Sequence, residues 1–212
     1  MADEAHLPKI FHPDTIQPAP NRLYFFDANV WLELFSPVLS RRDFMRPYVA
    51  LWQRLQTHGQ PCVVANAVVV SEVVNRFLRL RFDIWRDAPQ TAIDLKAAGE
   101  LSAGGRIDYK RHFRGTQVYK DALDLFLGAW DEISWLVTFQ EKEVESLILP
   151  AMLRKYGKQT DFNDKFYVEF CRAHGLWLVT HDGDFYAGGI NVVTANNDTI
   201  AQYEAMKRRQ QR

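Results

Sequence analysis

The sequence predicts an α/β protein, with helices in layers on both sides of a central, mainly parallel sheet. Three observations lead there. Four short apolar runs rich in aromatic and β-branched residues have strand length: RLYFF (22–26), CVVA (62–65), LWLVT (176–180) and NVVT (191–194). Stretches with helical spacing separate them, and that alternation builds parallel sheets. The chain has 212 residues, 47% of them hydrophobic, which suits one large domain with an ample core, or one domain with an insertion.

Taken in order, residues 1–21 carry Pro8, Pro13, Pro18 and Pro20 with little periodicity and read as an extended arm. A single domain then spans 22–212. After the RLYFF strand, which ends at Asp27, a helix runs through WLELF. A second helix covers about Asp43 to Thr57, with its stop marked by Gly59 and Pro61. CVVA is the next strand. From about residue 67, Val70, Val73, Val74, Phe77 and Leu78 follow helical spacing, with Glu72 in the early turns and Arg76 and Arg79 on a polar face. Residues 83–105 read as less regular, 106–132 as helical, and the region near 83–132 as a helical insertion. ISWLVTF (133–139) reads as a strand and EKEVESLILPAMLRKYG (141–157) as a helix. Thr160 or Asp161 caps a further helix that stops at Gly175. The tail from Asn197 is a last helix.

Acids stand at the ends of two of these strands. Asp27 follows the first, and Asp182 and Asp184 follow LWLVT in the sequence THDGD. Open parallel sheets bind ligands beyond the carboxyl ends of their strands, so these acids are expected to share one crevice. A single Asp at such a place is ordinary helix capping. Several converging acids repel one another and call for a cation or a proton. Asp161 and Asp164 are three residues apart at a helix start and share a face, where the helix dipole favours negative charge. On this reading Asp27→Asn should raise the melting temperature of the metal-free protein, because the substitution relieves repulsion.

The stretches FFDANVWLELF, SEVVNRF and DFNDKFYVEFCRAHGLWLVTHDGDF together resemble the PIN domain family. The family pattern is an Asp ending the first strand, a Glu on a later helix, an Asp opening the helix before the fourth strand, and an Asp in a T-x-D motif after it. Here these fall on Asp27, Glu72, Asp164 and Asp182, with Thr180 as the T and Asn29 at the small polar position after the first Asp. The likeness is strongest over 22–35 and 160–186, moderate over 62–78 and weak over 83–132. Asp161 and Asp184 are extra acids, so the third metal ligand is Asp161 or Asp164.

The resemblance implies a Mg²⁺- or Mn²⁺-dependent endoribonuclease that attacks RNA with a metal-activated water. Asp27, Asp164 and Asp182 are the implied ligands, Glu72 binds metal or orients the water, and Asn29, Asp161, Thr180 and Asp184 support them. It also implies a homodimer and, by likeness to toxin nucleases of toxin–antitoxin pairs, an antitoxin partner. Five of the six tryptophans, Trp31, Trp52, Trp85, Trp130 and Trp135, exceed what one core readily holds and point to a dimer as well. Arg76 and Arg79, following Glu72, are candidate phosphate contacts. The alternative is a PIN-like fold kept only to bind RNA or protein.

Other classes find less support. Net charge is zero, with 26 basic and 26 acidic residues, but the basic ones cluster at Arg76–Arg86, Arg106–Arg114 and Lys207–Arg212. No H-E-x-x-H or Cys/His zinc pattern, P-loop or dinucleotide fingerprint occurs. A phosphatase with D-x-D after its first strand would need Asp where Asn29 stands. His181 reads as a plain loop residue or a phosphate contact. Cys62 and Cys171 sit in apolar surroundings and read as reduced core thiols. Neither a signal peptide nor a membrane span is expected, which makes the protein cytoplasmic.

Overall fold

The computed structural model describes residues 7–35, 43–140, 162–183, 185 and 189–210. Its centre is a six-stranded sheet, all parallel, in the order β1-β6-β5-β2-β3-β4. The strands are β1 (Lys9–Phe11), β2 (Tyr24–Phe26), β3 (Val63–Ala65), β4 (Val137–Phe139), β5 (Trp177–Val179) and β6 (Asn191–Val193). Helices among the described residues are α1 (Ala28–Phe35), α2 (Arg46–His58), α3 (Ala67–Asp87), α4 (Pro89–Ala97), α5 (Gln117–Ile133), α6 (Phe162–His174) and α7 (Asn197–Gln210).

Helices cover both faces of the sheet, as alternation along β2 shows. Phe25 packs on Tyr167 and Phe170 of α6, at ring distances of 5.1 and 5.2 Å. Its neighbour Phe26 points the other way and meets Trp31 of α1 and Trp52 of α2, at 5.5 and 5.8 Å. All three residues of β2 are fully buried. A strand buried on both faces is continuously apolar, which is why Tyr24–Phe26 shows no polar alternation.

Most elements lie where their local signals put them. Gly59 (φ 72°) and Gly175 (φ 63°) end α2 and α6 in the left-handed conformation that glycine adopts without strain. Cys62 and Cys171 are both buried free thiols. The expected helix at 141–157 and its neighbouring caps Thr160 and Asp161 lie outside the described residues.

Three regions differ from the sequence reading. In ISWLVTF only Val137–Phe139 is strand, because α5 runs on to Ile133 and Ser134–Leu136 form a 3-10 turn. The arm is extended, but Lys9–Phe11 is also an edge strand paired in parallel with β6, with Lys9 opposite Asn191 and Phe11 opposite Val193. Pro8 and Pro13 flank that strand without interrupting it, a place where proline is tolerated. Residues 83–97 are helical where the sequence reads as irregular. There, α3 runs unbroken to Asp87, and Pro89 starts α4 in its first turn, where its missing N–H costs nothing.

The chain forms two compact units. Residues 1–70 and 134–212 hold the whole sheet. Residues 71–133 form a helical unit with its own aromatic core, in which Phe82 packs on Tyr109 and Phe113 at 5.3 and 5.5 Å and Phe77 on Phe126 at 5.7 Å. No helix among the described residues is long and apolar enough to cross a membrane.

Candidate functional site

From β2 the chain builds outward through β3 to β4, then returns to lay β5 on the other side of β2. The order therefore reverses between β2 and β5, and such a switch point opens a crevice at the carboxyl ends of the two strands. Asp27 follows β2, and Thr180, His181 and Asp182 follow β5. The register, Phe26 opposite Val179, brings Asp27 and Thr180 level.

Thr180 joins the acids. Its hydroxyl donates to Asp27 Oδ2 at 2.7 Å and accepts the Asp182 backbone N–H at 2.9 Å. The Asn29 Nδ2 group approaches the same oxygen at 3.5 Å. A hydroxyl has one proton and two lone pairs, so these contacts use its whole capacity. Asn29 Oδ1 in turn faces the His181 N–H at 3.4 Å. Asp27 is buried, and its Oδ1 accepts the Ala28 N–H at 2.5 Å, which caps α1. Asp182 is exposed.

Asp164 sits in the first turn of α6, half-buried. Phe25 and Asp27 lie on one face of β2, being two residues apart. Tyr167 of α6 packs on Phe25, and α6 leads through Gly175 into the parallel strand β5, so it runs against the strands. One turn back from Tyr167, Asp164 is thus displaced toward the edge where Asp27 stands. Asp161 and Asp184 lie outside the described residues. Glu72 belongs to the helical unit, where it pairs with Arg76 at 2.5 Å and is largely covered. In the same unit the Arg79 guanidinium lies 4.3 Å from the centre of the Tyr109 ring.

A cleft of about 340 Å³ opens at this edge, lined by Asn29, Glu33, Phe44, Met45, His181, Asp182, Gly183 and Asn196. Its carboxylates are Glu33 and Asp182. Asn29 and Glu33 are four apart on α1 and share its face. Tyr48 of α2 braces the back of the site. Its hydroxyl donates to the Thr180 carbonyl at 3.0 Å, accepts the Ala195 N–H at 2.7 Å, and lies 3.0 Å from His181 Nδ1 and 3.2 Å from Thr194 Oγ1. Burial, reinforced by the Asp27 charge, pushes the Tyr48 phenol up to about 12. Burial lowers the His181 pKa while the Asp182 carboxylate opposes that shift, which favours a neutral ring at pH 7. Asn196 caps α7, accepting from the Asp198 and Thr199 N–H groups, and its Nδ2 donates to the His181 carbonyl at 2.9 Å.

Sequence reading missed Glu33, Phe44, Tyr48 and Asn196. The spacing from Asn29 to Glu33 was a usable signal for the first. Phe44 and Tyr48 carry none, because tertiary packing alone brings them to a loop more than a hundred residues away. Asn66 is a further addition. It follows β3, the register carries it to the level of Asp27, and its Oδ1 caps Val69. Its Nδ2 is buried with no hydrogen-bond partner among the described residues.

Among the described residues no three His, Cys, Asp or Glu side chains gather closely enough to cage a metal ion. Magnesium needs less than a cage: it binds through one or two carboxylates and keeps several waters. The oxygen-rich lining from Asn29, Glu33 and Asp182, with no thiolate among it, has the donor chemistry of a hard cation. No protein-family model matches the chain, and no curated protein matches it.

Proposed function

We propose that the chain is a PIN-type nuclease domain, a Mg²⁺- or Mn²⁺-dependent endoribonuclease acting on RNA phosphodiester bonds. One observation carries this reading: Asp27 and Asp182, from two strand ends at the switch point, are tied through a single Thr180 hydroxyl beside an oxygen-lined cleft. A bound divalent ion would supply an activated water and neutralise charge on the phosphate. Asp182 and Glu33 would hold it at the cleft wall. Buried Asp27, fixed by Ala28 and Thr180, would set the position of the Thr180–Asp182 turn and add negative charge behind it. Asn29 would orient that turn from the α1 side. Asp164 and Glu72 keep the roles the resemblance gives them, as does the choice between Asp161 and Asp164. A cytoplasmic homodimer held in check by an antitoxin belongs to the same proposal.

The purified protein should cut single-stranded RNA with Mg²⁺ or Mn²⁺ and stop in EDTA. Asp182→Asn and Glu72→Gln should each abolish cutting in a protein that stays folded. Undiminished cutting by Asp182→Asn would overturn the assignment.

A second reading, a PIN-like module that binds RNA or protein without cutting, draws on another observation. Both Asp27 oxygens already accept hydrogen bonds, as a purely structural cap would. RNA binding that persists with no cleavage under any divalent ion would favour it.

A further inference from the structure

We infer that His181 accepts a hydrogen bond from a ribose 2′-hydroxyl of the bound strand, and so tells RNA from DNA at the cleft. This contact rests on the nuclease reading for its substrate and names the group that selects the sugar. Which ring nitrogen of His181 carries the proton decides it.

The Tyr48 hydroxyl fixes that proton. A phenol has one proton to give and two lone pairs. The proton goes to the Thr180 carbonyl at 3.0 Å, which can only accept. One lone pair takes the Ala195 N–H at 2.7 Å, which can only donate. His181 Nδ1 lies 3.0 Å from the same oxygen and meets the remaining lone pair. A bare Nδ1 would set two lone pairs against each other, so Nδ1 carries a proton and donates it. Thr194 Oγ1, more distant at 3.2 Å, accepts the Asn196 N–H at 3.1 Å.

A neutral imidazole protonated at Nδ1 has a bare Nε2. That atom makes no hydrogen bond among the described residues, and His181 lines the cleft beside Asp182. The residue is also held by its backbone, with its N–H toward Asn29 and its carbonyl on the Asn196 amide. An acceptor fixed in this way loses little freedom when a donor arrives.

The chemistry selects the partner. A bare nitrogen repels phosphate oxygens, which carry negative charge and no proton. It calls for a neutral donor, and in RNA these are the 2′-hydroxyl and the N–H groups of the bases. The hydroxyl is the nearer to the scissile bond, because it sits on the sugar joined to the phosphate. His181 is likewise joined to Asp182, which on the nuclease reading holds the ion at that phosphate. DNA offers no such hydroxyl.

The test has two parts. Nitrogen-15 NMR at pH about 8, where an imidazole of ordinary pKa is neutral, should show His181 protonated at Nδ1 and bare at Nε2. Binding is then measured at the same pH, with Ca²⁺ in place of Mg²⁺, on a single-stranded RNA and on copies carrying one 2′-deoxy sugar at successive positions. One of those positions should weaken binding about three- to ten-fold, the usual worth of a hydrogen bond. His181→Asn can still reach Tyr48 but not the strand, and should lose that penalty while staying folded. His181→Gln carries an amide oxygen to the place of Nε2 and should keep it. A protonated Nε2, a deoxy penalty that His181→Asn retains, or no binding by the wild type would overturn the inference. So would a penalty that follows loss of a base amino group, inosine for guanosine, instead of a 2′-hydroxyl. RNA cleavage with no deoxy penalty at any position would sink this contact and leave the nuclease reading standing. A penalty without cleavage under any divalent ion would do the reverse.

Discussion

The Thr180 hydroxyl donates to the Asp27 carboxylate at 2.7 Å across 153 residues of sequence, and this bond locks together the ends of β2 and β5. It also supports a prediction opposite to one sequence-based expectation. Repulsion among clustered acids predicted that Asp27→Asn would melt higher without metal. In the structure both Asp27 oxygens accept hydrogen bonds in a buried place, and an Asn offers one oxygen and one donor there. A donor facing the Thr180 O–H or the Ala28 N–H leaves a buried group unsatisfied, at about 1–3 kcal/mol. Asp27→Asn should therefore melt lower than wild type in EDTA. Thr180→Val should also melt lower, and Thr180→Ser should stay near wild type. A higher midpoint for Asp27→Asn would restore repulsion as the dominant effect.

Asn29 separates support from direct participation. It touches Thr180 and His181, the residues that flank the Asp182 turn. Asn29→Ala should cut cleavage by about 10–100-fold, the usual loss when a group that orients metal ligands is removed. Asp182→Asn should lose more. Equal rates for Asn29→Ala and wild type would remove Asn29 from the site.

Alkaline pH tests Tyr48. Its folded pKa of about 12 lies above the ordinary 10.0, so the protonated phenol is favoured in the folded state. The corresponding stability is fully present below pH 10 and is lost as pH rises toward 12, roughly 3 kcal/mol in all. The Cys62 thiol, raised by burial from 9.0 to about 11, adds a loss that begins lower. Tyr48→Phe should cost about 1–3 kcal/mol at neutral pH, because the Ala195 N–H loses its acceptor. It should also flatten the fall above pH 10. Midpoints measured from neutral to strongly alkaline buffer decide this: parallel curves for wild type and variant would show that Tyr48 does not govern the fall.

Arg76 and Arg79 test the proposed phosphate contact. Both are engaged within the helical unit, Arg76 with Glu72 and Arg79 over Tyr109. Each remains exposed enough to meet a phosphate. The double alanine variant should lower RNA affinity across sequences. It should also reduce the salt slope by about 0.7 for each phosphate of a single strand that the arginines neutralise. A wild-type slope would make these arginines partners of Glu72 and Tyr109 alone.

Elements with strong local signals were legible in the sequence. The runs around Tyr24–Phe26 and Trp177–Val179 announced their strands because a strand buried on both faces has no polar alternation, and Gly59 and Gly175 announced their helix ends because only glycine adopts that backbone freely. Local signals failed where pairing comes from afar. Nothing in KIF marks an edge strand, since its partner Asn191–Val193 lies some 180 residues on. The irregular composition near Pro89 hid a helix because that proline sits at its start.

The site divides the same way. Local pattern was enough to place Asp27 and Asp182 just beyond two strands of a parallel sheet, and hence on one edge, with Thr180 read as the last strand residue. Tertiary structure alone decided that β5 would lie beside β2, that Asp27 would spend its oxygens on Ala28 and Thr180, and that Tyr48 and Phe44 would arrive from another helix and turn to brace and cover His181. Strand ends are fixed by residues close along the chain. Contacts between groups 130 or more residues apart depend on strand order and helix packing, which no local pattern encodes.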